Sequence, residues 1–210
     1  MSLVRLSMSL FVVTAFSLAP SPFAAAQAER SSVYAVDQTA STIGFTIYGS
    51  MIFKIKRDGL FKSFSGQLSY NPSNPAAARV DLTVYTNSVD MNDAGNNALM
   101  KSSDFFDVAR FPTMHFASSS INVRPDGALD MTGDMTIRGI TRHMTIPVRL
   151  KPAGQSDSPG AVFESTFPID RTEFGLNGSP RLGGFKLSIS KNVQIHIAIA
   201  TSLDRPPFLR

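Results

Sequence analysis

The amino-acid sequence predicts an all-β fold, an antiparallel sandwich or barrel of several short strands, with one or two short helices spliced between them. Three observations carry this. Over most of residues 29–210 apolar side chains alternate with polar ones at period two, and the alternating positions are rich in β-branched and aromatic residues, as strands with one face on a core require. Turn-forming clusters punctuate the alternation at short intervals. Only residues 93–108 break the pattern.

Residues 1–28 read as a secretory signal peptide. Arg5 supplies the positive start, and residues 8–19 are apolar but shorter than the ~20 residues a bilayer span needs. Ala26-Gln27-Ala28 fits the small-x-small cleavage pattern, with cleavage after Ala28 and Ala26 as the alternative site. The chain has no cysteine, which removes lipoprotein anchoring, disulfides and thiol chemistry together. Residues 29–210 then form one domain, long enough to bury a core without covalent staples. Export implies a periplasmic location.

The strands follow in order. Ile43, Phe45 and Ile47 alternate with Thr42, Gly44 and Thr46; Met51, Phe53 and Ile55 with Ile52, Lys54 and Lys56. Val80, Leu82 and Val84 alternate with Asp81, Thr83 and Tyr85. After the irregular stretch come Met144, Ile146, Val148 and Leu150, and last Val193, Ile195, Ile197 and Ile199, each set interleaved with polar or small residues. Asn71-Pro72-Ser73-Asn74-Pro75 ends one strand, and Pro125-Asp126-Gly127 is a hairpin signal because Asp and Gly accept positive φ. Arg138-Gly139 joins another pair, residues 152–160 make a polar connection, and Asn177-Gly178-Ser179-Pro180 with Gly183-Gly184 mark a late loop. Within 93–108, Ala98, Leu99 and Met100 predict one helical turn, and Ser102 or Ser103 is placed to cap a second that carries Phe105 and Phe106.

The chemistry-bearing residues are sparse. The formal charge is +4, and its positive residues are scattered, with Lys54, Lys56 and Arg57 the one tight group, so neither a nucleic-acid stripe nor a polybasic membrane patch is present. His115, His143 and His196 lie in separate strand patterns without ligand spacing, although a metal site assembled between strands stays open. No Gly-x-Ser-x-Gly elbow exists, and Asp104 and Asp107 have nothing nearby to drive their pKa values apart. No catalytic residue, metal or cofactor is therefore expected. Phe is overused, at sixteen, with no Trp and with nine Met; Phe and Met fill irregular apolar volumes, and Met recurs on adaptable hydrophobic binding surfaces. Simple core filling and the lining of a ligand cavity both account for that usage.

Several blocks then resemble the YceI-like family. They are Tyr34-Ala35-Val36-Asp37 with Ser41-Thr42-Ile43-Gly44-Phe45, and a strand Gly59-Leu60-Phe61-Lys62-Ser63-Phe64-Ser65-Gly66. The most specific is Ser102-Ser103-Asp104-Phe105-Phe106-Asp107 followed by Phe111-Pro112-Thr113 and Phe116. Gly133-Asp134-Met135-Thr136-Ile137-Arg138-Gly139-Ile140-Thr141 and Arg171-Thr172-Glu173-Phe174-Gly175-Leu176 complete the set. The resemblance spans roughly residues 33–201. It implies an extended lipocalin-like antiparallel β-barrel of about eight strands, non-catalytic, holding a long-chain isoprenoid lipid or quinone in an apolar tunnel. The tunnel wall is placed on Phe45, Phe61, Phe64, Leu82, Val84, Phe105, Phe106, Met114, Phe116, Met135, Ile137 and Phe174. No nucleic-acid partner is implied, and a homodimer is left open. A solid-core barrel acting by surface contacts is the competing class. Two places depart from the family pattern: Gly95-Asn96-Asn97-Ala98-Leu99 stands where an Arg-Asp-x-His-Leu run is usual, and Tyr48-Gly49 where a strand-end His is frequent. If those polar groups tune head-group recognition, the ligand here differs.

The export reading has a direct check. N-terminal sequencing of the protein from a periplasmic fraction is expected to begin at Glu29, or at Gln27 for the alternative site; a full-length chain in the membrane fraction contradicts it.

Overall fold

The computed structural model describes residues 32–50, 54–71, 74–152, 161–178, 181–182, 185–186 and 188–203. The signal-peptide expectation, and the alternation at Met51 and Phe53, lie outside them. In chain order the elements are β1 (Ser32–Val36), β2 (Thr42–Ser50), β3 (Lys54–Phe61), β4 (Phe64–Tyr70), β5 (Arg79–Tyr85) and β6 (Val89–Asp90). Helix α1 (Ala94–Lys101) follows, then β7 (Thr113–Val123), β8 (Leu129–Ile137), β9 (Ile140–Pro152), β10 (Ala161–Asp170), β11 (Arg181–Leu182), β12 (Phe185–Lys186) and β13 (Ser188–Leu203). Among the described residues β11 and β12 pair only with each other.

The remaining strands close into an antiparallel barrel of eight staves, three of them bent. β1 and β2 are halves of one stave: β1 pairs with the end of β13 (Tyr34↔Leu203 to Val36↔Thr201), and β2 resumes at Thr42↔Ala198. Asp37 N–H donates to the Ala200 carbonyl at 2.9 Å across the break, while the Asp37 carboxylate accepts from the Thr39 N–H at 2.9 Å and turns the chain. β3 and β4 are likewise one stave, because β3 pairs with β2 and β4 with β1. β5 and β6 follow the same bend against β4 and β3. Ser63 O accepts from Tyr85 N–H at 3.0 Å and Ser88 O from Lys62 N–H at 3.2 Å, carrying the pairing through the kink. The Gly59–Gly66 block, read from sequence as one strand, is thus one stave kinked at Lys62-Ser63. From there β7, β8, β9, β10 and β13 run as a meander, and β13 returns to β1 and β2. Closure leaves the ring without the unpaired edges of an open sheet.

Turn chemistry sets the register. Arg138 (φ 51°) and Gly139 (φ 72°) form the two-residue β8–β9 turn, both at the positive φ that matches strand twist. Gly127 (φ 79°) serves the β7–β8 turn, where Arg124 N–H donates to Ala128 O at 2.8 Å. β7 bulges between Ser118 and Ser120 against Gly133. A Cβ at Gly133 would stand 2.3 Å from the Ala117 carbonyl oxygen, so only glycine fits there.

With register fixed, one side chain in two points inward. Leu82, Phe116 and Met135 lie in one cross-strand row, as do Phe45, Ile195 and Phe167. Outward positions carry polar pairs, such as Thr132 with Thr145 and Thr136 with Thr141, each at 2.8 Å between hydroxyl oxygens.

One end of the barrel is built from the irregular stretch. Asp93 caps α1, its carboxylate accepting from Asn96 N–H at 2.7 Å. Asp90, at the end of β6, accepts from Lys62 Nζ at 2.7 Å, Asn92 N–H at 2.9 Å and Asn97 Nδ2 at 3.1 Å; those hydrogen bonds, the Lys62 one foremost, hold its carboxyl well below the usual range. The second helical turn expected after Ser102 does not form. Instead the chain doubles back: Phe106 N–H donates to Met100 O at 3.0 Å, Asp107 N–H to Ser102 O at 2.9 Å, and Asp107 takes φ 50°. Asp104 and Asp107 therefore share no helix face; Asp104 is exposed, while Asp107 is buried and pairs with Arg110 at 3.5 Å. Arg138 ties the segment down, donating at 2.8 Å to Ser103 O and at 2.8 Å to Gly175 O. Phe111 lies against Gly139, where a Cβ would come within 2.9 Å of its ring.

Two substitutions test this arrangement. Ile137 is buried and inward while Thr136 faces out. Ile137→Asp is expected to remove several kcal/mol by burying an unpaired charge, and Thr136→Asp less than about 1 kcal/mol; equal urea midpoints for the two would reverse the assignment of faces. Arg138→Asn keeps a residue that tolerates positive φ but lacks the reach to both carbonyls. It is expected to cost about 1–3 kcal/mol, with faster amide exchange at Phe106 and Asp107 than elsewhere in the barrel.

Candidate functional site

Eight staves enclose a lumen that side chains can just fill or that holds one slender ligand, and here they do not fill it. Leu82, Met135, Ile195 and Ile197 point inward yet are only partly buried. The surface they keep faces two internal chambers with volumes of about 110 Å³ and about 80 Å³.

The larger chamber lies toward the end closed by the α1 segment. Met100 at the close of α1, Phe105 and Phe106 after it, and Leu176 beyond the Arg171 turn all reach its wall. Phe106 packs edge-on against Phe61, with ring centroids 5.5 Å apart at 74°, and Phe61 lies 5.6 Å from Phe45. Such tilted aromatic contacts fix the rings beyond what area burial alone does. The smaller chamber lies between Leu68, Val80, Met131, Ile146, Val148 and Phe163, with Ile199 and Thr201 of β13.

Ten of the twelve residues placed on the wall from sequence line the larger chamber: Phe45, Phe61, Leu82, Val84, Phe105, Phe106, Met114, Phe116, Met135 and Ile137. Phe64 and Phe174 line neither. Phe64 is buried at the kink between β3 and β4, opposite Val84. Phe174, 1% exposed, is clamped in a 3-10 turn, Arg171–Phe174, closed by Gly175 at φ 69°. Sequence reasoning did not name the contribution of β13 (Val193, Ile195, Ile197), of Ile43 and Ile47 on β2, or of Phe167 and Ile169 on β10. The signal that finds them is the same period-two alternation, followed around the ring. The smaller chamber was likewise unnamed apart from Leu82, Phe116 and Met135, which it shares with the larger.

Among the described residues the buried polar side chains at the lumen are few, and none of their atoms lacks a partner. Arg171 borders the larger chamber and is 7% exposed. Its guanidinium donates to Ser190 O at 3.0 Å, to Ile189 O at 3.3 Å and to Leu176 O. Burial draws its pKa down, with Asp170 opposing the shift. The charge is thus committed to three carbonyls, two of which, on Ser190 and Ile189, fasten the Arg171–Phe174 turn to β13. Ser165, inward on β10, turns its hydroxyl to Pro147 O. An apolar cavity of this kind stays dry and accepts apolar guests.

Each histidine has a partner across the sheet. His115 Nε2 lies 3.1 Å from Asp81, and His143 Nδ1 2.7 Å from Asp134. His196 Nε2 lies 3.2 Å from Thr46 Oγ1, which donates to Asp58 at 2.6 Å. Among the described residues no three His, Asp or Glu side chains are gathered as a metal site. The positions that depart from the expected motif lie off the lumen: Gly95 and Ala98 are exposed on α1, Tyr48 is 47% exposed on β2, and neither chamber is lined by any of them.

Comparison with known proteins agrees with this architecture. A UPF0312 protein of Enterobacter sp. (strain 638) is 38% identical over 123 residues, covering 56% of this chain and 62% of that protein. The crystal structure of Burkholderia cenocepacia BcnA superposes with a TM-score of 0.67 at 25% identity, covering 79% of this chain and 98% of the other. A domain of Saccharophagus degradans described as polyisoprenoid-binding and implicated in plant cell wall breakdown has the same fold, with a TM-score of 0.62 at 14% identity over 81% of this chain and 98% of the other. The family model described as a YceI-like domain matches residues 34–201, nearly the whole barrel, and the chain belongs to that family.

Proposed function

We propose that this protein binds and carries a long-chain isoprenoid lipid or isoprenoid quinone, non-covalently, with the apolar tail in the two chambers, in the periplasm after export. The observation that carries the proposal is the apolar surface that inward-pointing side chains keep around an unfilled lumen. A slender chain buried there gains roughly 25 cal/mol per Å² removed from water, so a few hundred Å² outweighs the costs of association. The polyisoprenoid-binding description of the Saccharophagus domain, which shares the fold, supports the same ligand class. No chemical step is part of the proposal: the histidines sit beside aspartates and a threonine on strand faces, and among the described residues none pairs a nucleophile with a base in the lumen. The two internal chambers count against the solid-core alternative.

Organic extraction of protein purified from the periplasm, followed by mass spectrometry, is expected to release a prenyl lipid or quinone in near-stoichiometric amount. A barrel that carries none, and takes none up from prenyl-alcohol micelles, contradicts the proposal.

Phe106 separates a ligand contact from a closing plug. Phe106→Ala is expected to weaken binding of a prenyl alcohol while circular dichroism keeps its β signal. A change that instead only lowers the melting temperature, by on the order of 10 °C for the ~3–5 kcal/mol of a buried Phe→Ala, with affinity intact below the melt, assigns Phe106 to core closure alone.

A further inference from the structure

The two chambers share four wall residues: Leu82, Phe116, Met135 and Ile197. Leu82 pairs with Phe116, and Phe116 with Met135, in one row across β5, β7 and β8. Ile197 belongs to β13, which lies halfway round the ring from β7 and so on the opposite wall. Three adjacent side chains on one wall and one facing them, all in contact with both chambers, form a waist. Phe116 is tightly packed at 4% exposed, whereas Leu82, Met135 and Ile197 keep lumen-facing surface. The register sets Ser165 beside Ile197; it lines only the smaller chamber and is the smallest side chain at this level. The waist is therefore narrowed by side chains that can move and relieved by one that is small. Met, unbranched and with three rotatable bonds, is the residue best suited to yield there.

We infer, on the reading that the lumen holds a prenyl tail, that this waist gauges tail length, with Met135 and Leu82 as the residues that set it. A short chain gains most by filling the larger chamber. A longer one gains further only by passing between Met135 and Ile197 into the smaller chamber. Affinity then rises by roughly tenfold or more for each isoprene unit buried, and levels once both chambers are occupied. Among the described residues no buried side-chain polar atom is without a partner, so length and cross-section are the properties the lumen reads.

The test is the ratio of affinities for geranylgeraniol and geraniol, measured by titration with each alcohol on the delipidated protein. In the wild type the ratio strongly favours geranylgeraniol. Met135→Phe, which thickens the waist, and Val148→Phe, which fills the smaller chamber alone, are each expected to reduce that ratio by about tenfold or more. Phe167→Ala, in the wall of the larger chamber alone, is expected to weaken both alcohols and keep the ratio within about twofold. Should Met135→Phe fail to fold, Leu82→Phe reads the same ratio from the neighbouring position. Folded waist and far-chamber variants with the wild-type ratio overturn the inference while leaving lumen binding standing. A wild-type protein that binds none of the alcohols overturns the reading on which it rests.

Discussion

The structure depends on β13. This sixteen-residue strand pairs with β10 through Asn192–Ala200 along one side, and along the other with β2 and then, through Thr201–Leu203, with β1. Without that double pairing the sheet has two open edges and nothing fixes which faces meet. With it, eight staves form a ring whose diameter is set by stave number rather than by side-chain volume. The inward residues must then accommodate a space they did not choose. Val193, Ile195, Ile197 and Ile199 line it from β13, opposite Phe116 and Met114 from β7, and they do not close the gap. The lumen is a consequence of closure, and its apolar character follows from the alternation that closure demands.

A second constraint operates at the α1 end. Arg138 sits in the two-residue β8–β9 turn, yet its guanidinium reaches Ser103 and Gly175, 35 and 37 residues away in sequence. Its positive φ is tolerable because the turn needs it, and the turn aims the side chain across the barrel end. Three sequence blocks that look independent, around Phe105-Phe106, Ile137-Arg138-Gly139 and Arg171–Phe174, are therefore one physical assembly. The first covers the lumen, the second holds the cover, and the third supplies the carbonyl against which it is braced. Arg171 does the same for the third block, fastening it to β13 through Ser190 and Ile189.

Much of this was legible in the sequence because period two survives folding into a closed sheet. The alternations at Ile43–Phe45–Ile47, Leu82–Val84 and Ile195–Ile197 name inward faces directly, and the turns at Gly127 and Arg138-Gly139 follow from φ. The bent staves were not legible. A break at Asp37 reads as the end of a strand and Gly59–Gly66 reads as one unbroken strand; only the partners across the sheet show where the staves bend and pairing resumes. The helix expected after Ser102 gives way to a tight fold-back, in which Phe106 and Asp107 N–H return to Met100 O and Ser102 O, with Arg138 pinning Ser103 from across the barrel end. Phe64 and Phe174 were placed on the lumen as apolar residues within the blocks that carry the family resemblance. Both are buried, but residue type does not distinguish burial against a turn or kink from burial against a cavity. The smaller chamber escaped because most of its own wall, Leu68, Val80, Met131, Ile146, Val148 and Phe163, lies outside the sequence blocks that carry the resemblance.

The distribution of polarity limits how a ligand can be chosen. Arg171, Ser165 and His115 all come near the lumen, and each spends its polar atoms on the protein: on the carbonyls of Ser190, Ile189 and Leu176, on Pro147 O, and on Asp81. A head group brought inside would lose its water without gaining a partner, a cost of several kcal/mol for even an uncharged polar group. On the proposed reading the head group stays outside the chambers, where the exposed polar face of α1 and the capping segment offer what the lumen lacks. The departures at Gly95, Asn96 and Ala98 fall on that helix and not on the chamber walls. Tail selection and head-group selection are then separable in this fold: the first resides in the apolar rows of β5, β7, β8 and β13, and the second is left to surface residues free to vary without disturbing the barrel.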